Sequence, residues 1–414
     1  MSAGRGGSLS GRIAAGLALG VLVGMAAGPA AGPLGELGKL VIQLIKAAAA
    51  PLLFLAIVNA VLKTEVKARS AARMAAVACF NATIALLLGL ALSNLLKPGL
   101  HLQAQAVPAG VKATAKLSFD KFMDGLIPTS FAGPFVENAV IQLVVLALLL
   151  GFGLRRARAE KADGAAALEE LAAGALRVTE VALGWIIQLV PLAVFGVVAK
   201  AVGQYGFGPL KGLGVYVGVG LLGLALHSLI VYQLWLVLYA KIGLARFWRI
   251  AKDPVVYAAG ANSSLATLPV TLTALDKLGV SRSSATLGAC VGTNLNNDGI
   301  ILYEAMAVLF VAQAHGLELS LSQQIFAALS CIVAAIGIAG VPEAGFVSLS
   351  LVLATCGLPT ELLPLLLTVD WIVARGRSIV NVLSDMLVSI ILDRWDGRDL
   401  SRAPSGARLE RVGA

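Results

Sequence analysis

Apolar residues run through this chain in long blocks separated by short polar stretches. A helix that crosses a bilayer needs about 20 mostly apolar residues, and roughly eight stretches meet that length. The first six predict helices over residues 12–31, 37–62, 72–96, 134–154, 174–201 and 212–240. Some exceed the thickness of the hydrocarbon layer and are expected to tilt. After Gly99 a long polar connection, "LHLQAQAVPAGVKATAKLSFDKF", is expected on the outside.

The second half breaks the pattern. From Asp253 to Gly279 the chain is apolar, but "GANSSLATLP" interrupts it and leaves flanks of about ten residues, too short to span. From Leu321 to Pro359 a second apolar stretch is broken by "GIAGVPEAG". Both read as helical hairpins that enter the membrane and return. Open backbone at membrane depth is tolerated only where protein buries it or a cavity is lined by it, so each tip should face something polar. Each hairpin precedes an apolar helix carrying polar residues: "GTNLNNDGIILYEAM" from Gly292, and "ARGRSIVNVLSD" from Ala374. The first hairpin follows a basic loop and the second a loop without basic residues, as inverted repeats would require. Inverted repeats with broken helices meeting at mid-membrane are a construction of secondary transporters.

Polar residues in the last helix fall on one side. At about 100° per residue, Asp370, Ala374, Arg377, Asn381, Ser384 and Asp385 form a stripe with Ser378 beside it. Arg375 points about 160° away from Arg377 and needs a different partner. A charge at bilayer depth costs roughly 2.5–3.5 kcal/mol on insertion scales, so Arg377 faces a ligand or a permanent partner such as Asp370 or Asp385. Its planar fork suits a carboxylate bound in two places. Asp298 in "NNDGI" reads as a cation ligand or as a buried acid tied to backbone amides. Asn296, Asn297 and free carbonyls around Gly292 and Gly299 suit a hard ion that takes oxygen ligands. Glu304, about 120° round the helix from Asp298, reads as a proton carrier or as a hydrogen-bonded core acid.

Composition agrees with lipid as the solvent: 58% of the residues are hydrophobic and 13% charged, against about 25% charged in soluble domains. The net charge of +9 does not point to nucleic acid, because its location follows the topology. Basic residues cluster at Arg5 and Arg12, Lys63–Arg73, Arg155–Lys161, Lys241–Lys252 and Arg394–Arg411, while "AVGQYGFGP" and "AHGLELSLSQQ" nearly lack them. This positive-inside pattern places both termini in the cytoplasm. No cleavable signal peptide is expected at the start. Cys79, Cys290, Cys331 and Cys356 sit in apolar runs without a C-x-x-C pair and read as small buried hydrophobes. An enzyme would need a nucleophile and a base; Ser263 and Ser264 lack an elbow motif, and His227 reads as a hydrogen-bonded helix-packing residue. An anion channel is the stronger rival to a transporter, but gates and ion ligands argue for coupled transport.

"SSLATLPVT", "GTNLNNDGI", "AGVPEAG…VLATCGLP" and "DWIVARGRSIVNVLSD", in that order, resemble the glutamate transporter, or dicarboxylate/amino acid:cation symporter, family. The resemblance covers most of the chain. It implies an all-α integral membrane protein of the bacterial inner membrane, with eight transmembrane helices and two re-entrant hairpins, working as an elevator in a homotrimer. It implies scaffold helices over 1–70 and 100–208, a transport domain over 71–99 and 209–393, and a cytoplasmic tail over 394–414. It assigns substrate contacts to Arg377, Ser378, Asn381, Ser264, Val341, Gly345 and the Ala374 position. It assigns coupling cations, Na+ and also H+, to Gly292, Asn294, Asn296, Asp298, Asn381 and Asp385, with Glu304 at a proton-coupling position. No organic cofactor and no enzymatic activity are expected; the partners are a small anion, cations and membrane lipid.

Departures from the family pattern refine this. Ala374 stands where amino-acid carriers have an aspartate for the substrate's ammonium group. Ile300, Ala335 and Ile338 replace hydroxyl-bearing residues. In the third helix Ala78, Asn81 and Ala82 replace residues that support the deepest sodium. The expectation is a symporter for a dicarboxylate of the succinate, fumarate or malate class, with an acidic amino acid as the alternative. Fewer sodium ions are expected to be coupled, with a proton on Glu304 helping. If aspartate is the substrate, Glu343 is the first candidate to replace the missing carboxylate.

Overall fold

The computed structural model describes residues 9–63, 68–102, 127–336, 344–398 and 400. Val341, Ile338 and Glu343 lie outside the described residues, as do most of the connection after Gly99, the first eight residues and nearly all of the tail. The side chain of Asn294 lies outside them too. Every regular element among the described residues is helical. Apolar stretches long enough to cross a membrane cover Gly11–Leu62, Ala72–Leu96, Ala165–Tyr205 and Gly208–Ala240.

Contacts divide the chain into two compact units. The larger comprises Met1–Lys63, Gly89–Gly220 and Tyr303–Ala374. In it α1 (Leu9–Ala27) ends in a 3-10 turn over Gly28–Gly35, set by two prolines, before α2 (Glu36–Lys63). The short α4 (Gly133–Glu137) leads into α5 (Val140–Ala159), α6 (Ala165–Gln188) and α7 (Val190–Tyr205). α1 packs along α7, and α2 packs on α5, α6 and α7. Lipid tails are as apolar as leucine, so helices in a bilayer associate by close packing rather than by hydrophobic gain. Gly20 and Gly24 provide it. A Cβ at either would lie 2.7 Å from a carbonyl oxygen of α7, of Phe195 and Ala199 respectively. The second hairpin belongs to this unit: α13 (Leu321–Ile336) and α14 (Ala344–Thr355) pack on each other, α13 on α5 and α14 on α2.

The smaller unit comprises Thr64–Leu88, Leu221–Leu302 and Arg375–Ala414. It takes most of α3 (Ala68–Leu96) and the end of α8, which starts at Gly208–Leu226. α8 continues through two widened π turns, His227–Val231 and Trp235–Ala240, which leave no mark in the apolar pattern. The first hairpin is α9 (Leu244–Ala261) and α10 (Ser264–Leu278), packed together. Its flanks are 18 and 15 residues, longer than the ten expected, because α9 already starts in the basic segment "LARFWR". "GTNLNNDGI" is not one continuous helix. A short helix at Arg282–Ala285 (α11) passes through a π turn at Thr286–Val291 and a 3-10 turn at Gly292–Asn294. The chain then opens and restarts at α12 (Asp298–Ala314). The Gly292 carbonyl accepts from both Leu295 and Asn296 amides, and asparagine side chains compete with the backbone for such bonds. α15 (Leu363–Trp395) is a single helix of 33 residues.

Candidate cation and substrate site

The smaller unit gathers its polar residues where the widened turns of α8, the tip of the first hairpin, the opening before α12 and the second half of α15 come together. Asn262 ends α9 in the left-handed region (φ 50°), which asparagine tolerates. Ser263 caps α10 by accepting from the Ala266 amide. The tip touches the polar stripe, because the Ser378 hydroxyl donates to Asn262 Oδ1 at 3.1 Å. Ser264, nearly buried, accepts from the Thr293 hydroxyl at 3.4 Å.

Two glycines let α15 approach closely. A Cβ at Gly299 would lie 2.6 Å from the Arg377 carbonyl oxygen, and one at Gly288 would collide with Ser389. The Gly299 amide donates to Asn381 Oδ1 at 2.9 Å, and Asn381 Nδ2 donates to Asn297 Oδ1 at 3.3 Å. Asn296 Nδ2 donates to the Gly288 carbonyl at 2.9 Å and to Asp385 Oδ1 at 3.0 Å. Arg377 is 3% exposed and Arg375 half-buried, in line with their opposite directions on the helix.

Asp298 is fully buried, and its Oδ2 accepts from the Tyr232 hydroxyl at 2.6 Å and from the Ser384 hydroxyl at 2.8 Å. Hydroxyls rather than backbone amides therefore hold this acid. His227 lies 3.6 Å from the same oxygen, edge-on to Tyr232. It packs as expected but is not hydrogen-bonded: neither ring nitrogen has a hydrogen-bond partner. Sequence reasoning missed Tyr232 and the placing of His227 beside Asp298. One tyrosine in an apolar helix carries no periodic signal.

Besides the two His227 nitrogens, three buried polar atoms here have no hydrogen-bond partner: Asn296 Oδ1, Asp298 Oδ1 and Asn81 Nδ2. The Asn81 oxygen accepts from Trp235 Nε1 at 2.9 Å, beside buried Ala78 and Ala82. The two oxygens accept only, and burying such a group without a donor is costly. Oxygens of this kind are the ligands that a hard cation takes. Among the described residues no group of three or more His, Cys, Asp or Glu could hold a metal ion. The donor set is amide oxygens with few carboxylates, which fits a monovalent ion better than a divalent one.

The remaining expected residues lie in the larger unit. Glu304 is fully buried and accepts from the Ser348 hydroxyl of the second hairpin. That hydroxyl also lies 3.2 Å from the carbonyl of Gly345, itself buried. Ala374 is 2% exposed.

Apolar helices that bury amide and carboxylate oxygens in this way define an integral membrane transport protein. The chain matches the description of the sodium:dicarboxylate symporter family over residues 9–395 and belongs to that family. It is 30% identical over 376 residues to "C4-dicarboxylate transport protein 3" of Ralstonia nicotianae, covering 88% of this chain and 83% of that protein. It is 29% identical over 383 residues to a "C4-dicarboxylate transport protein" of Anaeromyxobacter sp., covering 89% and 86%. A "Proton/sodium-glutamate symport protein" of Bacillus subtilis is 27% identical over 324 residues, covering 76% and 74%.

Proposed function

We propose that this protein is a secondary symporter that takes up a dicarboxylate of the succinate, fumarate or malate class together with Na+, with H+ as a further coupling ion. One observation carries the cation half: Asn296 Oδ1 and Asp298 Oδ1 are buried acceptors without donors, next to Asp385. Asn381 links this cluster to the substrate stripe, since its amide oxygen holds the α12 start and its amide nitrogen meets Asn297. Arg377 is the substrate's carboxylate partner and Ser378, Asn381 and Ser264 its polar neighbours. The Gly292 carbonyl, expected to be free for the ion, is taken by the Leu295 and Asn296 amides, so of the two backbone positions the resemblance names only Asn294 is kept as an ion contact. Ala374 leaves an α-amino group without a counter-charge, which favours a dicarboxylate over aspartate. The names of the C4-dicarboxylate relatives support the same choice.

Glu304 carries the coupled proton, and its bond to Ser348 ties that proton to the second hairpin. The family resemblance adds eight spans, two re-entrant hairpins, an elevator motion, a trimer, cytoplasmic termini and the bacterial inner membrane. It also assigns Val341 and Gly345 to the substrate and leaves no enzymatic step.

The test is uptake into proteoliposomes of radiolabelled succinate and L-aspartate, side by side, under an inward Na+ gradient at equal pH. Accumulation of succinate, uninhibited by aspartate, is the expected result. Tight aspartate uptake without succinate competition overturns the substrate assignment, and solute leakage without accumulation makes the protein a channel.

A further inference from the structure

A cavity of about 440 Å³, with a mixed polar and apolar lining, opens in the larger unit, within the 300–1,000 Å³ usual for ligand sites. Three lysines line it from two stretches of chain: Lys39 and Lys46 on α2, and Lys200 on α7. Tyr205, Thr360 and Glu361 complete the polar wall, while Ile42, Val197 and Leu365 make an apolar one.

Lys39, Lys46 and Lys200 converge at one end of their helices. The cavity sits at the end of α2 opposite the basic segment that follows Lys63, and at the end of α7 that leads into "AVGQYGFGP". Lysines also occur in the connection after Gly99 on that side; what needs a reason is the convergence of three on one cavity wall. Lys46 lies ten residues into α2, about 15 Å along the axis from Glu36. It is half-buried, and its ammonium donates to the Thr360 hydroxyl at 2.8 Å. Its stem follows the helix while its head reaches the polar wall, the usual conduct of a lysine inside a span. Lys200 is held by shape: its stem lies over Gly35, where any side chain would collide with it. Two carboxylates offset part of the charge, Glu36 in a 2.7 Å ion pair with Lys39 and Glu361 beside Lys46. Three ammonium groups against two carboxylates leave one positive charge uncompensated.

We infer that this cavity is a binding site for the phosphate of a singly charged anionic phospholipid, such as phosphatidylglycerol. The ammonium groups of Lys46 and Lys200 and the Tyr205 and Thr360 hydroxyls take the phosphate. The apolar wall takes the first methylenes of the acyl chains. Basic pockets between transmembrane helices recognise anionic head groups on the cytoplasmic side of membranes, and the same cationic chemistry is offered here at the other end of the helices. A free dianion has the same chemistry of attraction, but it carries twice the charge left open and no apolar part for Ile42, Val197 and Leu365.

The test is native mass spectrometry of the full-length protein, carried through delipidation in the presence of equal phosphatidylglycerol and phosphatidylcholine. The wild type is expected to retain phosphatidylglycerol at least tenfold over phosphatidylcholine. The double variant Lys46→Gln, Lys200→Gln is expected to lose that preference, and Lys46→Arg, Lys200→Arg to keep it. Equal retention of the two lipids by the wild type overturns the site whether or not a variant folds. So does an unchanged preference in the glutamine variant. Displacement of the lipid by millimolar inorganic phosphate or succinate assigns the cavity to a soluble anion and overturns the lipid reading.

Discussion

Two helix pairs in this protein are brought together by the same device, and only one of them is dry. Where α1 meets α7, Gly20 and Gly24 place backbone 2.7 Å from where a Cβ would stand, and the neighbouring residues are aliphatic. Where α12 starts against α15, Gly299 does the same at 2.6 Å, but amides and carboxylates crowd round it. The first contact is complete in itself, since close van der Waals packing is one of the forces that hold helices together in lipid. The second leaves Asn296 Oδ1 and Asp298 Oδ1 without donors. Close packing that ends in unmet acceptors is what the proposed cation site rests on, and the α1–α7 seam shows none of it.

Substitutions can break this comparison. Arg377→Gln has the largest expected effect. Losing one partner of a buried charge-paired contact costs about 2–5 kcal/mol, so dicarboxylate uptake should fall by upwards of 30-fold at fixed Na+ in proteoliposomes. Gly299→Ala and Gly24→Ala form the sharpest pair. Each forces a methyl group into a filled contact, at about 1–3 kcal/mol of overpacking. Gly24→Ala should lower the melting temperature without changing the Na+ dependence of uptake, whereas Gly299→Ala should also raise the Na+ concentration for half-maximal uptake. Tyr232→Phe removes a hydroxyl that orients Asp298 and should weaken apparent Na+ affinity by about 10–100-fold, the usual cost of losing an outer partner of an ion ligand. The smallest effect is expected from Glu304→Gln, which should flatten the pH dependence of uptake while leaving Na+ dependence in place. Uptake that is fully Na+-dependent and unchanged in that variant removes the proton role.

Much of the candidate site's geometry was legible in the sequence. The α15 stripe rests on helical period alone, and Ala374, Arg377, Asn381, Ser384 and Asp385 are all buried. The break at Asn262 and Ser263 announced itself through residues that favour caps. What escaped notice has a physical reason in each case. Widened turns in α8 leave the composition apolar while rotating Tyr232 and His227 toward Asp298. The unwinding at residues 295–297 depends on which backbone bonds the asparagines displace, which spacing does not encode. Lys39 and Lys46 share one face of α2 by helical period, but Lys200 lies far along the chain and only tertiary structure adds it to their wall.

The central claim is that a coupling cation satisfies the oxygens of Asn296 and Asp298. The most direct measurement is the thermal stability of the purified protein as Na+ replaces choline at constant ionic strength, for the wild type and for Asp298→Asn. A ligand that binds only the folded state stabilises it in proportion to the logarithm of its concentration above the dissociation constant. The account predicts a melting temperature that climbs with Na+ in the wild type and stays flat in the variant. Equal climbs in both proteins, or none in the wild type, would contradict it.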